Sequence, residues 1–102
     1  MASVRVGALS ELPPGSVSEL EIAGRVLALC NVNGTVYAVD GICPHAGGRL
    51  GHGALHDNWL CCPLHAWEFD CRTGEHGPGS PFRVRTYPVR IEDGQISVEL
   101  DA

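Results

Sequence analysis

The chain has 102 residues, 44% of them hydrophobic and 19% charged, with a net charge of −5. That length suits one domain, and the balance of apolar and charged residues is that of a globular chain rather than a disordered one. All seven basic residues are arginines spread thinly along the chain, which leaves no basic patch for nucleic acid, and no stretch approaches the roughly 20 apolar residues of a membrane span.

The N-terminus, Met1-Ala2-Ser3-Val4-Arg5, has no apolar core of a secretory signal, so the cytoplasm is the expected compartment. Five cysteines are many for such a chain, and an odd count argues against a simple disulfide framework. In a reducing compartment these residues more often bind metal or do redox work.

In chain order, turn signals arrive every few residues and no long 3.6-residue period appears, which predicts an all-β fold. Val4–Leu9 reads as a first strand, ended by Pro13-Pro14-Gly15. Val17–Ile22 and Arg25–Asn31 are joined by Ala23-Gly24, and Asn33-Gly34 then leads into Thr35–Val39. Asn-Gly is the strongest of these hairpin signals, because both residues tolerate positive φ. Near the C-terminus Arg83–Glu92 and Gln95–Leu100 flank Asp93-Gly94, with Pro88 marking an edge strand or a bulge. Between these hairpins, from Asp40 to Pro81, the chain is rich in Gly, Pro, Cys and His, with short strand-like pieces only at Trp59–Cys61 and Trp67–Phe69. A loop-rich segment of that length is usually functional or held by something other than a core. The expectation is a single domain over 1–102, built as a β scaffold with a metal-clamped insert at about 41–80.

Two short donor pairs sit inside the insert, Cys43-Pro44-His45 and Cys62-Pro63-Leu64-His65. Each places a thiol and an imidazole on one tight turn, stiffened by a proline that fixes φ. Gly47 and Gly48 permit close backbone approach to a bulky inorganic centre. Zinc sites commonly pair like with like, whereas here each turn supplies one Cys and one His, the composition of a two-iron cluster with mixed ligands. A colourless structural zinc module is the competing reading.

At these residues the sequence resembles the Rieske family. The match covers Cys43-Pro44-His45-Ala46-Gly47-Gly48 and Cys62-Pro63-Leu64-His65-Ala66-Trp67, and continues through Phe69-Asp70-Cys71-Arg72-Thr73-Gly74-Glu75. The resemblance implies stacked antiparallel sheets and one [2Fe–2S] cluster, with Cys43 and Cys62 on the inner iron and His45 and His65 on the outer one, near the surface. It also implies a potential at the low end of the range for such centres. The high-potential members carry an inter-loop disulfide at the positions of Gly48 and Leu64, and hydroxyl donors at those of Trp67 and Phe69, and this chain has neither. Neutral imidazoles leave the oxidised centre about neutral, and oxidised iron lowers the pKa of their remaining N–H groups, so reduction is expected to take up protons at alkaline pH.

Cys30, Cys61 and Cys71 are read as packing residues. His52, His56 and His76 are read as exposed loop histidines, Trp59 as core and Trp67 as a shield beside the second loop. The expectation is a free-standing module without a catalytic domain or an anchor helix, so the resemblance points to an electron carrier rather than an enzyme. Such a carrier docks transiently near His45 and His65, taking electrons from a flavin-dependent reductase and passing them to a terminal ring-hydroxylating oxygenase. The alternative is a small Rieske-like subunit of an NAD(P)H-dependent nitrite reductase.

Overall fold

The computed structural model describes residues 2–44, 47–64, 67–77 and 80–100. Their backbone forms ten strands in three antiparallel sheets. The terminal sheet joins β1 (Ala2–Ala8) to β10 (Gln95–Leu100) and β10 to β9 (Val89–Glu92). The middle sheet runs in the order β2 (Val17–Ile22), β3 (Arg25–Val32), β4 (Thr35–Asp40) and β8 (Thr86–Tyr87). The third sheet is a meander of β5 (Ala54–His56), β6 (Trp59–Cys61) and β7 (Glu68–Asp70).

The hairpins form where the turn dipeptides stand. Asn33 and Gly34 take φ of 52° and 97°, and Asp93 and Gly94 take 51° and 74°. Ala23, at φ 51°, adopts the same left-handed conformation before Gly24. Paired positive φ matches the right-handed twist of the flanking strands, so these turns set the register directly.

Three expectations need correcting. Arg83–Glu92 is not one strand: Tyr87 pairs with Ala38 of β4, whereas Val89 pairs with Val98 of β10. Pro88 lies between them without an N–H to donate, and there the chain changes sheets. Leu9 belongs to a short 3-10 turn, Leu9–Glu11, rather than to β1. Ala54–His56, read as loop, pairs with β6 through Leu55 and Leu60, because Asp57 at φ 55° turns the chain back at His56.

The middle sheet is covered on both faces because β3 alternates with period two. Leu27 and Leu29 point into a cluster with Val36, Ala38, Ile96, Val98 and Leu100, against the terminal sheet. Ala28 and Cys30 point the other way, into a cluster with Val39, Leu50, Leu60, Phe69 and Val84 that also contains Cys43 and Cys62. The third sheet and the cysteine-bearing loops are therefore seated on the back of the scaffold. Asp40 secures that seat at the foot of the first loop: its carboxylate accepts from the Tyr87 hydroxyl at 2.7 Å and from the Arg85 amide at 3.1 Å. Among the described residues, no helix is long and apolar enough to cross a membrane.

Candidate metal centre

The two donor-bearing loops are built alike. In the first, the Cys43 amide donates to the Gly48 carbonyl at 2.8 Å; in the second, the Cys62 amide donates to the Trp67 carbonyl at 2.7 Å. Each bond closes a loop from a cysteine to the fifth residue after it, so each cysteine sits at the base of its loop. The first loop is tightened by Gly47, whose amide donates to the Cys43 carbonyl at 2.8 Å and whose φ of 73° favours glycine. Leu50 anchors the far end, its amide donating to Gly41 at 2.9 Å.

Both thiols end in the core, each 1% exposed, and neither is in a disulfide. They face each other. Burial raises the Cys62 pKa above its ordinary value; the Leu64 amide, 3.4 Å from the sulfur, works against that, and the adjoining Cys43 thiol pushes it further up. Burial of this kind favours the protonated form of Cys62 unless a cation joins it, and a bound metal deprotonates a coordinating thiol outright. Gly48 keeps space open beside the pair, since a Cβ there would lie 2.8 Å from the Cys62 sulfur and 3.2 Å from Leu64 Cγ. Buried paired thiols, an amide aimed at one sulfur and a glycine beside it fit an iron–sulfur group. Among the described residues no group of three or more His, Cys, Asp or Glu could hold a metal. His45 and His65, the imidazoles predicted to complete the donor set, lie outside the described residues.

The surroundings of the second loop were only partly legible in sequence. Trp67 is half-buried and packs on the core, as expected of a shield. Its partner is a correction: His76 is not an exposed loop residue but a half-buried one. The His76 ring stacks on Trp67 with centroids 4.0 Å apart and planes 16° apart, while its Nδ1 lies 2.8 Å from the Ser80 hydroxyl. Phe82 meets Trp67 edge-on at 5.1 Å. His52 and His56 are exposed as expected, with His52 3.3 Å from Glu19, which Arg49 also approaches at 3.4 Å. Cys61 is half-buried beside fully buried Cys62, as alternation along β6 requires. Trp59, expected in the core, is also half-buried.

The Rieske [2Fe–2S] domain model matches residues 2–88. The chain belongs to the Rieske [2Fe–2S] domain family. It is 38% identical over 95 residues to the ferredoxin component of the naphthalene 1,2-dioxygenase system of Pseudomonas aeruginosa, covering 91% of this chain and 90% of that one. The ferredoxin of carbazole 1,9a-dioxygenase from Nocardioides aromaticivorans IC177 superposes with a TM-score of 0.88 at 32% identity, covering 96% and 97% of the two chains. A ferredoxin solved in complex with the reduced oxygenase of carbazole 1,9a-dioxygenase gives 0.86 at 26% identity, covering 97% of each. A putative NADH-dependent nitrite reductase small subunit from Mycobacterium tuberculosis gives 0.89 at 24% identity, covering 99% and 96%, a likeness of fold alone. As a Rieske protein, the chain carries one [2Fe–2S] cluster and works as an electron carrier rather than as an enzyme.

Proposed function

We propose that Cys43, His45, Cys62 and His65 hold the cluster at the tip of an insert spanning about 41–80. In this reading the protein passes single electrons in the cytoplasm from a flavin-dependent reductase to a terminal ring-hydroxylating oxygenase. The observation that carries the ligand assignment is the meeting of the Cys43 and Cys62 thiols, each at the base of a loop closed by the same hydrogen bond. When bound, the cluster supplies one reversible one-electron site, in a class whose potentials run from roughly −150 to +300 mV.

The chain's own residues supply three things. The core around Phe69, Leu60 and Leu50 keeps water from the thiolate side. The Leu64 amide directs a hydrogen-bond donor at the Cys62 sulfur, favouring its charged form. The rim is apolar: Ile42, Leu64 and Phe82 are 41%, 47% and 41% exposed. Ile42 and Leu64 adjoin the two loops, and Phe82 rests on Trp67. An exposed apolar rim around the predicted imidazole side favours brief docking there, with the surface charge of −5 steering the approach to a basic partner.

The nitrite reductase reading gains only a common fold, whereas curated relatives above 30% identity are dioxygenase ferredoxin components. Reconstitution tests the choice. Anaerobically prepared protein, mixed with a flavin reductase and a ring-hydroxylating oxygenase, is expected to be reduced by the first and reoxidised by the second at catalytic rates. Stable co-purification with a sirohaem protein and no turnover with an oxygenase would replace this proposal by the subunit reading. Zinc in place of iron and sulfide would replace both.

A further inference from the structure

A second pair of thiols lies away from the metal centre. Cys30, in the middle of β3, is 0% exposed, and Cys71, just past β7, is 1% exposed. Both are free, and both belong to the core cluster between the middle sheet and the insert. Tyr37 lies between their positions. Cys30 is paired across the sheet with Tyr37, and Tyr37 stands with Cys71 and Arg72 on the wall of an open cavity of about 470 Å³. From the insert side Cys71 is fixed by its amide, which donates to the Asn58 carbonyl at 2.9 Å. The neighbouring Cys71 thiol, followed by burial, drives the Cys30 pKa far above its ordinary value.

We propose that Cys30 and Cys71 form an oxidisable dithiol that closes to a disulfide, stapling the insert to the middle sheet. The oxidant class is a small peroxide, which the cavity beside Cys71 admits. The Cys71 sulfur displaces one oxygen of hydrogen peroxide: an S–O bond forms, the O–O bond breaks, and the thiol proton leaves with the departing hydroxide as water. The Cys30 sulfur then attacks the Cys71 sulfur, forming S–S and breaking S–O, and its proton completes a second water. Two thiols lose two electrons and two protons, and one peroxide becomes two waters. The roles follow from position, since Cys71 borders the cavity while Cys30 lies behind it. Burial of Cys30 makes the closing step slow, because the thiolate is the nucleophile. The 40 residues between the two cysteines include both donor-bearing loops, so the closed bond restrains opening of the whole insert.

The test uses cluster-loaded protein titrated with hydrogen peroxide, then unfolded, alkylated and digested with chymotrypsin. Cleavage after Tyr37 separates Cys30 from Cys43, and cleavage after Trp67 or Phe69 separates Cys71 from Cys61 and Cys62. The expected result is a linked Cys30–Cys71 peptide, the loss of two alkylatable thiols, and reversal by dithiothreitol, all while the visible spectrum persists. Cys30→Ala and, independently, Cys71→Ala should each abolish the linked peptide. The proposal is overturned if both thiols remain alkylatable at peroxide levels that oxidise half-buried Cys61. It is equally overturned if Cys71 links to Cys61, or if the Cys30–Cys71 link appears only in protein that has already lost its colour.

Discussion

Gly48 and Cys62 approach each other across the two loops so closely that a methyl group on Gly48 would lie 2.8 Å from the cysteine sulfur. Real Cβ atoms do not come that near, so sulfur or loop must move if the glycine gains a side chain. The same imagined methyl lies 3.2 Å from Leu64 Cγ, which places side by side the two positions where high-potential Rieske proteins carry their bridge.

Gly48→Ala is therefore expected to lower cluster incorporation severely while the scaffold still folds. Gly47→Ala is the contrast: among the described residues its Cβ meets nothing within 4 Å, and its φ of 73° is strained, at about 1–2 kcal/mol. Iron and sulfide per chain, measured beside the thermal midpoint, separate the two outcomes.

Among the five cysteines, removal should divide the set cleanly. Cys43→Ala and Cys62→Ala should be colourless after reconstitution, whereas Cys61→Ala should keep the wild-type visible spectrum. Cys30→Ala and Cys71→Ala should keep it too, at a cost of about 0.5–1.5 kcal/mol, that of a small buried deletion. Retained colour in Cys43→Ala would remove that residue from the ligand list.

The midpoint potential is expected at the low end of the Rieske range. Gly48 and Leu64 leave no bridge between the loops, and Trp67 and Phe69 offer no hydroxyl to the sulfides. Spectroscopic redox titration decides this, with a strongly positive midpoint contradicting it.

Docking on the rim predicts a split between binding and chemistry. Leu64→Asp or Phe82→Ser should raise the KM of the partner oxygenase for the reduced protein by about tenfold, as expected for 1–2 kcal/mol of apolar contact. Spectrum and potential should stay unchanged. Unaltered steady-state kinetics in both variants would place the contact elsewhere.

Stability should fall at both extremes of pH. Burial pushes the Asp70 carboxyl upward, but its bonds from the Arg72 amide and guanidinium, at 2.9 to 3.1 Å, outweigh that and hold it below its usual 3.8. A lowered carboxyl pKa contributes stability that is present above the unfolded value and lost as pH falls through the folded one. With Arg72 half exposed, the contribution is about 1 kcal/mol or less. Tyr87 is the opposite case. Burial, then the hydrogen bond to Asp40, raises its phenol above the usual 10. Its contribution is complete below the unfolded value and disappears as pH rises through the raised folded one. Denaturant midpoints against pH should show an alkaline decline that Tyr87→Phe reduces.

The strand and hairpin plan was largely written in local chemistry. Asn33-Gly34 and Asp93-Gly94 form turns because of their own tolerance for positive φ, whatever surrounds them. Pro88 announced an irregularity, but nothing local to it could say that Tyr87 and Val89 belong to different sheets. The His76 stack was hidden for a similar reason: a histidine among glycines looks exposed until the chain folds it onto Trp67, nine residues earlier.

The order of residues by itself determined the strand and hairpin chemistry, the two cysteine–histidine turns and the family they mark. These depend on backbone preferences and donor types that each short segment carries with it. Only the tertiary structure decided that Gly48 lies against the Cys62 sulfur, that Cys30 meets Cys71, and that Pro88 moves the chain between sheets. Those relationships join segments far apart in the chain, and they exist only because the middle sheet buries both of its faces.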